Sequence, residues 1–357
     1  MSVEKFVACI AEDDTLGALL ALESIEDING VFYNIEHVTL LACAATAGRV
    51  TVVQRLLEMG ANVDNKYWNG TGALYLSVQY GHADIVSMLI DAGADVNNRT
   101  STGNAPIHAT KSEDILDLLL RAGAVVDGRG LRGKTALHMC SVRGHIGMVK
   151  HLLDVGAYVN LQDDDGWTAL HYAARQEDME ITYMLLSAGA DANIRNKGGD
   201  TPLMCAYSSK NTDLLKMLIN AGADVHTISG DGRSVMHTAA SSRDISFMRD
   251  MVALGCSVDV QGNDGWTPLH YAVMVRDIGM VDVLVKAGAN INKQNNVGCT
   301  PLHFAVNIMR HTDIEELLCK GADPSIKDFS GNTALDVASQ RGDKIAIQML
   351  LKYIKEL

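Results

Sequence analysis

Apolar residues along this chain recur in two alternating kinds of run. One is short and alanine-rich, as in Ala169-Leu170-His171-Tyr172-Ala173-Ala174; the other spaces Val, Ile and Leu at helical intervals, as in Ile146 to Leu153. Each pair of runs predicts two helices separated by a tight turn such as Gly81-His82 or Gly144-His145. The second helix of each pair should stop at a glycine in the left-handed conformation: Gly60, Gly93, Gly123, Gly156, Gly189, Gly222, Gly255, Gly288 and Gly321. A Thr or its equivalent takes the N-cap before the first helix, and Pro106, Pro202, Pro268 and Pro301 take the first helical position, where no N–H is needed.

The pattern repeats. Successive N-cap positions are Thr39, Gly72, Ala105, Thr135, Thr168, Thr201, Ser234, Thr267, Thr300 and Thr333; eight of the nine intervals are 33 residues and one is 30. A fixed period of this size predicts a stacked array of one supersecondary unit, each burying its neighbours' apolar faces.

The segments Gly265-Trp266-Thr267-Pro268-Leu269-His270-Tyr271-Ala272 and Ala92-Gly93-Ala94-Asp95-Val96-Asn97 resemble the ankyrin repeat family. The resemblance covers residues 31–357. It implies an all-α repeat solenoid, an ankyrin repeat array of about ten helix-turn-helix units joined by β-hairpin-like fingers. It also implies that the concave face of fingers and inner helices binds the partner. Residues 1–30 lack the motif but keep two amphipathic stretches, Glu4–Ala11 and Thr15–Ser24, and are expected to form degenerate capping helices. The polar-tipped segment Lys344–Leu357 should close the other end. The third unit, Ala105 to Gly123, is three residues short and should lose about one turn of its inner helix.

Composition changes this picture little. Aromatic residues make up 5% of the chain and hydrophobic residues 47%, as expected of helix-on-helix packing without one large core. The net charge of −13 disfavours nucleic acid, which needs a positive surface. No apolar run reaches 18 residues and the N-terminus lacks the order of a signal peptide, so no membrane span is expected. The seven cysteines show no paired spacing, which points to a reducing compartment, cytoplasmic or nuclear.

Several motifs suggest chemistry. Gly128-Arg129-Gly130-Leu131-Arg132-Gly133-Lys134-Thr135 fits the G-x-x-x-x-G-K-T pattern of a phosphate-binding loop. The repeat frame accounts for Gly133 as a turn glycine and Thr135 as an N-cap, and no buried strand precedes the segment. Six histidines (His108, His138, His171, His237, His270, His303) share one place in the frame, where the resemblance implies hydrogen bonds to neighbouring fingers. No nucleophile–base pair or metal-ligand spacing stands out, so neither an enzyme nor a cofactor is expected.

The candidate partner-binding residues come from the variable positions of the fingers and of the inner-helix ends. They are Trp68 and Tyr80 in the second unit; Arg129, Arg132, Lys134 and Arg143 in the fourth; Asp164, Asp165, Trp167 and Arg175 in the fifth; and Trp266 and Met274 in the eighth. Aromatic and arginine side chains in a groove are typical interface anchors. The leading reading is a non-enzymatic scaffold that binds an acidic or amphipathic protein segment, with the chain itself monomeric. One alternative is recognition of a small anionic ligand or a phosphorylated or methylated residue by the same face. Walls of Trp167 with Tyr172, or Trp266 with Tyr271, would hold a methylated ammonium. Another alternative is a pathogen-derived protein acting in a host cell.

Overall fold

The computed structural model describes residues 2–30, 39–67, 69–206, 211–230 and 232–356. Among them the regular elements are twenty-two α-helices and one three-residue 3-10 turn, Leu131–Gly133. The chain divides into two compact units. One comprises Met1–Ala173 with Glu180–Ala190, the other Ala174–Met179 with Asp191–Leu357.

In the first compact unit the helix pairs are Leu40–Thr46 with Val50–Glu58, Ala73–Tyr80 with Ala83–Asp91, Pro106–Ala109 with Glu113–Arg121, and Ala136–Arg143 with Ile146–Asp154. Each outer helix buries three apolar side chains on one stripe, as Val52, Val53 and Leu56 do, or Ile115, Leu116 and Leu119. Full burial of such a side chain contributes about 1.5–3 kcal/mol. The inner helices bury alanines such as Ala42, Ala44 and Ala45, whose small size lets neighbouring backbones approach. The third inner helix has four residues where its neighbours have seven or eight, the lost turn that the 30-residue interval predicts.

Ahead of these lie Ser2–Ala11 and Thr15–Leu22, which pack on each other and on the first pair, with Phe6 fully buried. Asn29 accepts from the Asn62 amide at 2.7 Å. Later units join in the same way, for instance Asp64 to the Asp95 amide at 3.1 Å.

The second compact unit repeats the scheme, with outer-helix cores of Leu214, Leu215 and Leu218; Phe247, Met248 and Met251; and Met280, Val281 and Leu284. Its last helix, Lys344–Glu356, has thirteen residues against nine in the preceding outer helices.

The fingers are closed by one recurring backbone bond, such as Asp163 N–H to Trp167 O at 2.8 Å and Gly262 N–H to Trp266 O at 2.9 Å. Neighbouring fingers are stitched tip to tip, for example Ser101 N–H to Asn69 O at 2.8 Å and Asp164 N–H to Arg132 O at 3.0 Å. Between the third and fourth fingers the stitch changes. There the Leu131 amide donates to the side-chain oxygen of Asn104 at 2.8 Å. The shortened unit therefore interrupts the backbone ladder at the finger that carries the basic residues.

Candidate functional site

Where the frame carries its histidine, that side chain positions the finger. The amides of Thr135 and Thr267 donate to Nδ1 of His138 and His270 at 3.1 and 3.2 Å. Nδ1 is therefore the acceptor and Nε2 carries the proton. Nε2 donates to the next finger, from His138 to Trp167 O at 3.0 Å and from His270 to Cys299 O at 3.1 Å. One imidazole thus locks an N-cap and tethers the following finger. Burial holds these rings neutral, lowering His108, His138 and His237 and pushing His270 down to about 4.

The basic finger of the fourth unit is a tight loop. Gly130 N–H donates to Lys134 O at 2.7 Å, and Arg132 stands in the left-handed region at φ 55°. This geometry absorbs the phosphate-loop look-alike. The carbonyl of Gly128 accepts from His108 Nε2 at 2.8 Å, Gly130 lies too close to the His108 ring to carry a Cβ, and Gly133 turns at φ 69°.

The four candidate cations divide once their partners are known. Lys134 places its ammonium 4.6 Å from the centre of the Tyr172 ring. Arg143 Nη1 donates to His108 O at 3.3 Å and so caps the shortened third helix. Arg129 stands 3.9 Å from Asp164 with both side chains exposed, a contact of little energetic consequence. Its carbonyl accepts from Arg99. Only the Arg132 side chain is exposed without a hydrogen bond or ion pair, next to Leu131, which is 49% exposed.

The proposed aromatic walls are filled. Trp167 and Tyr172 have ring centres 5.0 Å apart at an interplanar angle of 34°, in direct contact. Tyr172 donates to Asp163 Oδ2 at 2.6 Å, and the other oxygen of that buried carboxylate accepts from the Trp167 amide at 2.9 Å. Trp266 packs against Tyr271 at 5.3 Å and against Phe304 at 4.7 Å, while Arg233 lies 5.4 Å over Tyr271. The same sandwich of cation, tyrosine and tryptophan therefore occurs twice. These rings pack on one another and leave no cage for a methylated ammonium, which corrects that expectation.

Tyr80, Asp164, Asp165, Arg175 and Met274 are exposed, whereas Trp167 and Trp266 are half-buried. Trp68 lies outside the described residues. Sequence reasoning passed over Val297 and Phe329, 61% and 73% exposed on consecutive fingers and joined by Phe329 N–H to Val297 O at 3.2 Å. Their signal was available: both are apolar at positions that Asp264 and Asn296 fill one unit earlier.

Cysteine chemistry finds no footing in the interior. Burial pushes the Cys140 and Cys205 thiols up to about 12 and Cys43 to about 11, which keeps them protonated. Among the described residues no group of three His, Cys, Asp or Glu side chains could hold a metal ion, and no helix is long and apolar enough to cross a membrane.

Stacked helix pairs joined by hydrogen-bonded fingers define an all-α repeat solenoid. The family model described as Ankyrin repeats (3 copies) matches residues 6–100, 98–163, 155–229, 208–295, 236–328 and 276–356, and the chain belongs to the ankyrin repeat family. Compared with curated proteins, the chain has no match. Members of the family generally mediate protein–protein interaction and are typically non-enzymatic.

Proposed function

We propose that this protein is a non-enzymatic scaffold that binds a protein segment of acidic or amphipathic character across its fingertips and inner-helix ends. The observation that carries the reading is the fourth finger. Its backbone is fixed by bonds to Asn104, to Lys134 and to the next finger, yet its tip presents Leu131 and Arg132 to solvent. A rigid loop presenting an aliphatic and a guanidinium side chain binds with little loss of conformational entropy. The positive tip on a chain of net charge −13 favours an acidic segment.

The structure changes which residues should be tested. Lys134 and Arg143 hold intrachain contacts, so reversing their charge would disturb the fold as well as the surface. The informative variant is Leu131→Ser with Arg132→Glu. Affinity capture from lysate with this variant should lose a specific protein that the wild type retains, with circular dichroism unchanged. Undiminished capture would remove the fourth finger from the interface. Val297→Ser with Phe329→Ser tests the last two fingers in the same way.

A further inference from the structure

In the first two units the residue just after the turn between the two helices reaches back to the unit before it, a job that the shortened third unit disrupts. In the first unit that residue is Arg49, whose Nε and Nη2 donate to Ile10 O at 3.2 and 3.0 Å. In the second it is His82, whose Nε2 lies 3.0 Å from Thr46 O. Both side chains reach back to a carbonyl at the end of the preceding inner helix, one of the groups a helix leaves unpaired.

His145 holds the same place in the fourth unit, but the helix behind it, Pro106–Ala109, ends about one turn early. The carbonyl that His145 would use belongs to the missing turn. Arg143 instead reaches the His108 carbonyl, and the His145 side chain, half-buried, makes no hydrogen bond. The chain leaving the short helix runs through Thr110 to Lys111, which is exposed and forms no ion pair.

Arg143 thus brings its guanidinium to the end of the short helix, where Lys111 follows His108 by three residues, and His145 follows Arg143 by two. Burial and the positive charges of Arg143 and Lys111 all lower the His145 pKa. Glu113, on the helix that follows, lies against Gly147 and forms no ion pair with any of the three; nor does Asp114. On a chain of net charge −13, these three basic groups form no ion pair and keep their positive charge open to an anion.

We propose that the notch left by the shortened third inner helix is a subsite for a phosphate monoester dianion, carried by the partner segment and held by Lys111, Arg143 and His145. A guanidinium, an ammonium and an imidazolium protonated on binding supply several charge-assisted donors, which suits the many acceptor oxygens of a phosphate dianion. The ligand class deepens the scaffold reading and rests on it.

The test uses the full chain and His145 ring signals in 1H–13C NMR spectra, assigned with His145→Gln. Inorganic phosphate titrated at constant ionic strength should shift the His145 signal saturably and raise its pKa. Lys111→Ala should weaken that binding about tenfold, the effect of losing one charge-assisted hydrogen bond. A pool of phosphoserine peptides with degenerate flanks should compete with phosphate at a lower concentration, and the same pool after phosphatase treatment should not. A linear, unsaturable response, or one unchanged in Lys111→Ala, overturns the site. Phosphate binding without any gain from the peptide pool overturns the partner-borne phosphate and leaves the free anion as ligand. Lysate capture depends on Leu131 and Arg132 and phosphate titration needs no partner, so either reading can fail alone.

Discussion

Nε2 of His270 donates to the carbonyl of Cys299 at 3.1 Å, while its Nδ1 accepts from the amide of Thr267 at 3.2 Å. The ring works only as the neutral tautomer, because protonation would turn the acceptor into a donor facing another N–H. Burial has already pushed its pKa from 6.5 down to about 4.

Stability should therefore fall in mild acid. The folded pKa lies below the unfolded value, so the unfolded chain binds the extra proton. The contribution is complete above about pH 6.5 and is lost as the pH drops toward 4. For His270 the loss approaches about 3 kcal/mol. His108, His138 and His237 are lowered in the same direction and add to the slope. Carboxylates held low, such as Asp282 at about 2, lose their contribution only below the ordinary carboxylate range. The decline between pH 6.5 and 4.5 therefore belongs to the histidines. Urea midpoints across that range should fall in the wild type and fall less steeply in His270→Gln. A flat profile would show that the rings titrate normally.

A second expectation concerns Gly130, whose role is room. A Cβ there would stand 2.4 Å from Asn104 Oδ1 and 2.7 Å from His108 Cδ2. Those two side chains hold the Leu131 amide and the Gly128 carbonyl, so Gly130→Ala should loosen the fourth finger as a whole. The expected cost is about 1–3 kcal/mol, the usual effect of overpacking a tight site. Gly60→Ala, with open space around its Cβ, is the control for backbone strain alone, since its φ is 84°. Hydrogen exchange at the Leu131 amide should rise in Gly130→Ala and stay unchanged in the control.

The architecture was legible because its determinants are local and repeat: N-cap residues, prolines at the first helical position, and glycine stops. The 30-residue interval revealed the short helix for the same reason. The N-terminal helices were visible but not their kinship to the repeats, because Asp13, at φ 63°, takes the turn position that Gly48 takes one unit later. The candidate site was less legible. Arg129, Arg132, Lys134 and Arg143 look alike along the chain, yet Lys134 is committed to Tyr172 and Arg143 to His108. Such pairings across units depend on side-chain reach, which periodicity does not encode. The release of His145 could be inferred only from the bond that His82 makes to Thr46.

The stack of Lys134, Tyr172 and Trp167 separates two energies on one ring. Tyr172→Phe keeps the face for Lys134 and Trp167 but removes the donor 2.6 Å from the buried Asp163 carboxylate. It should cost about 1–3 kcal/mol. Lys134→Met keeps the stem and removes the ammonium, costing about 0.5–1 kcal/mol if cation–π attraction is the main contribution. Chemical denaturation of both variants and of the double variant tests this, and additive losses would show that the two contacts act independently.

Asp313 occupies a position that an apolar side chain fills in earlier units: Val52, Ile85, Ile115, Met148, Ile181, Leu214, Phe247 and Met280. It is 2% exposed, one oxygen meets Arg310 Nε at 3.1 Å, and the other has no hydrogen-bond partner. Desolvating a carboxylate that is paired on one side only is unfavourable, whereas Arg310 keeps access to water. Leucine has the same number of side-chain heavy atoms in the same branched arrangement. Asp313→Leu should therefore stabilise the chain by about 1–3 kcal/mol, visible as a higher urea midpoint at an unchanged slope. Asp313→Ala, which removes the charge but leaves a cavity, should gain less. A lower midpoint for the leucine variant would mean that the Arg310 pair and the charge at the helix N-terminus outweigh the desolvation.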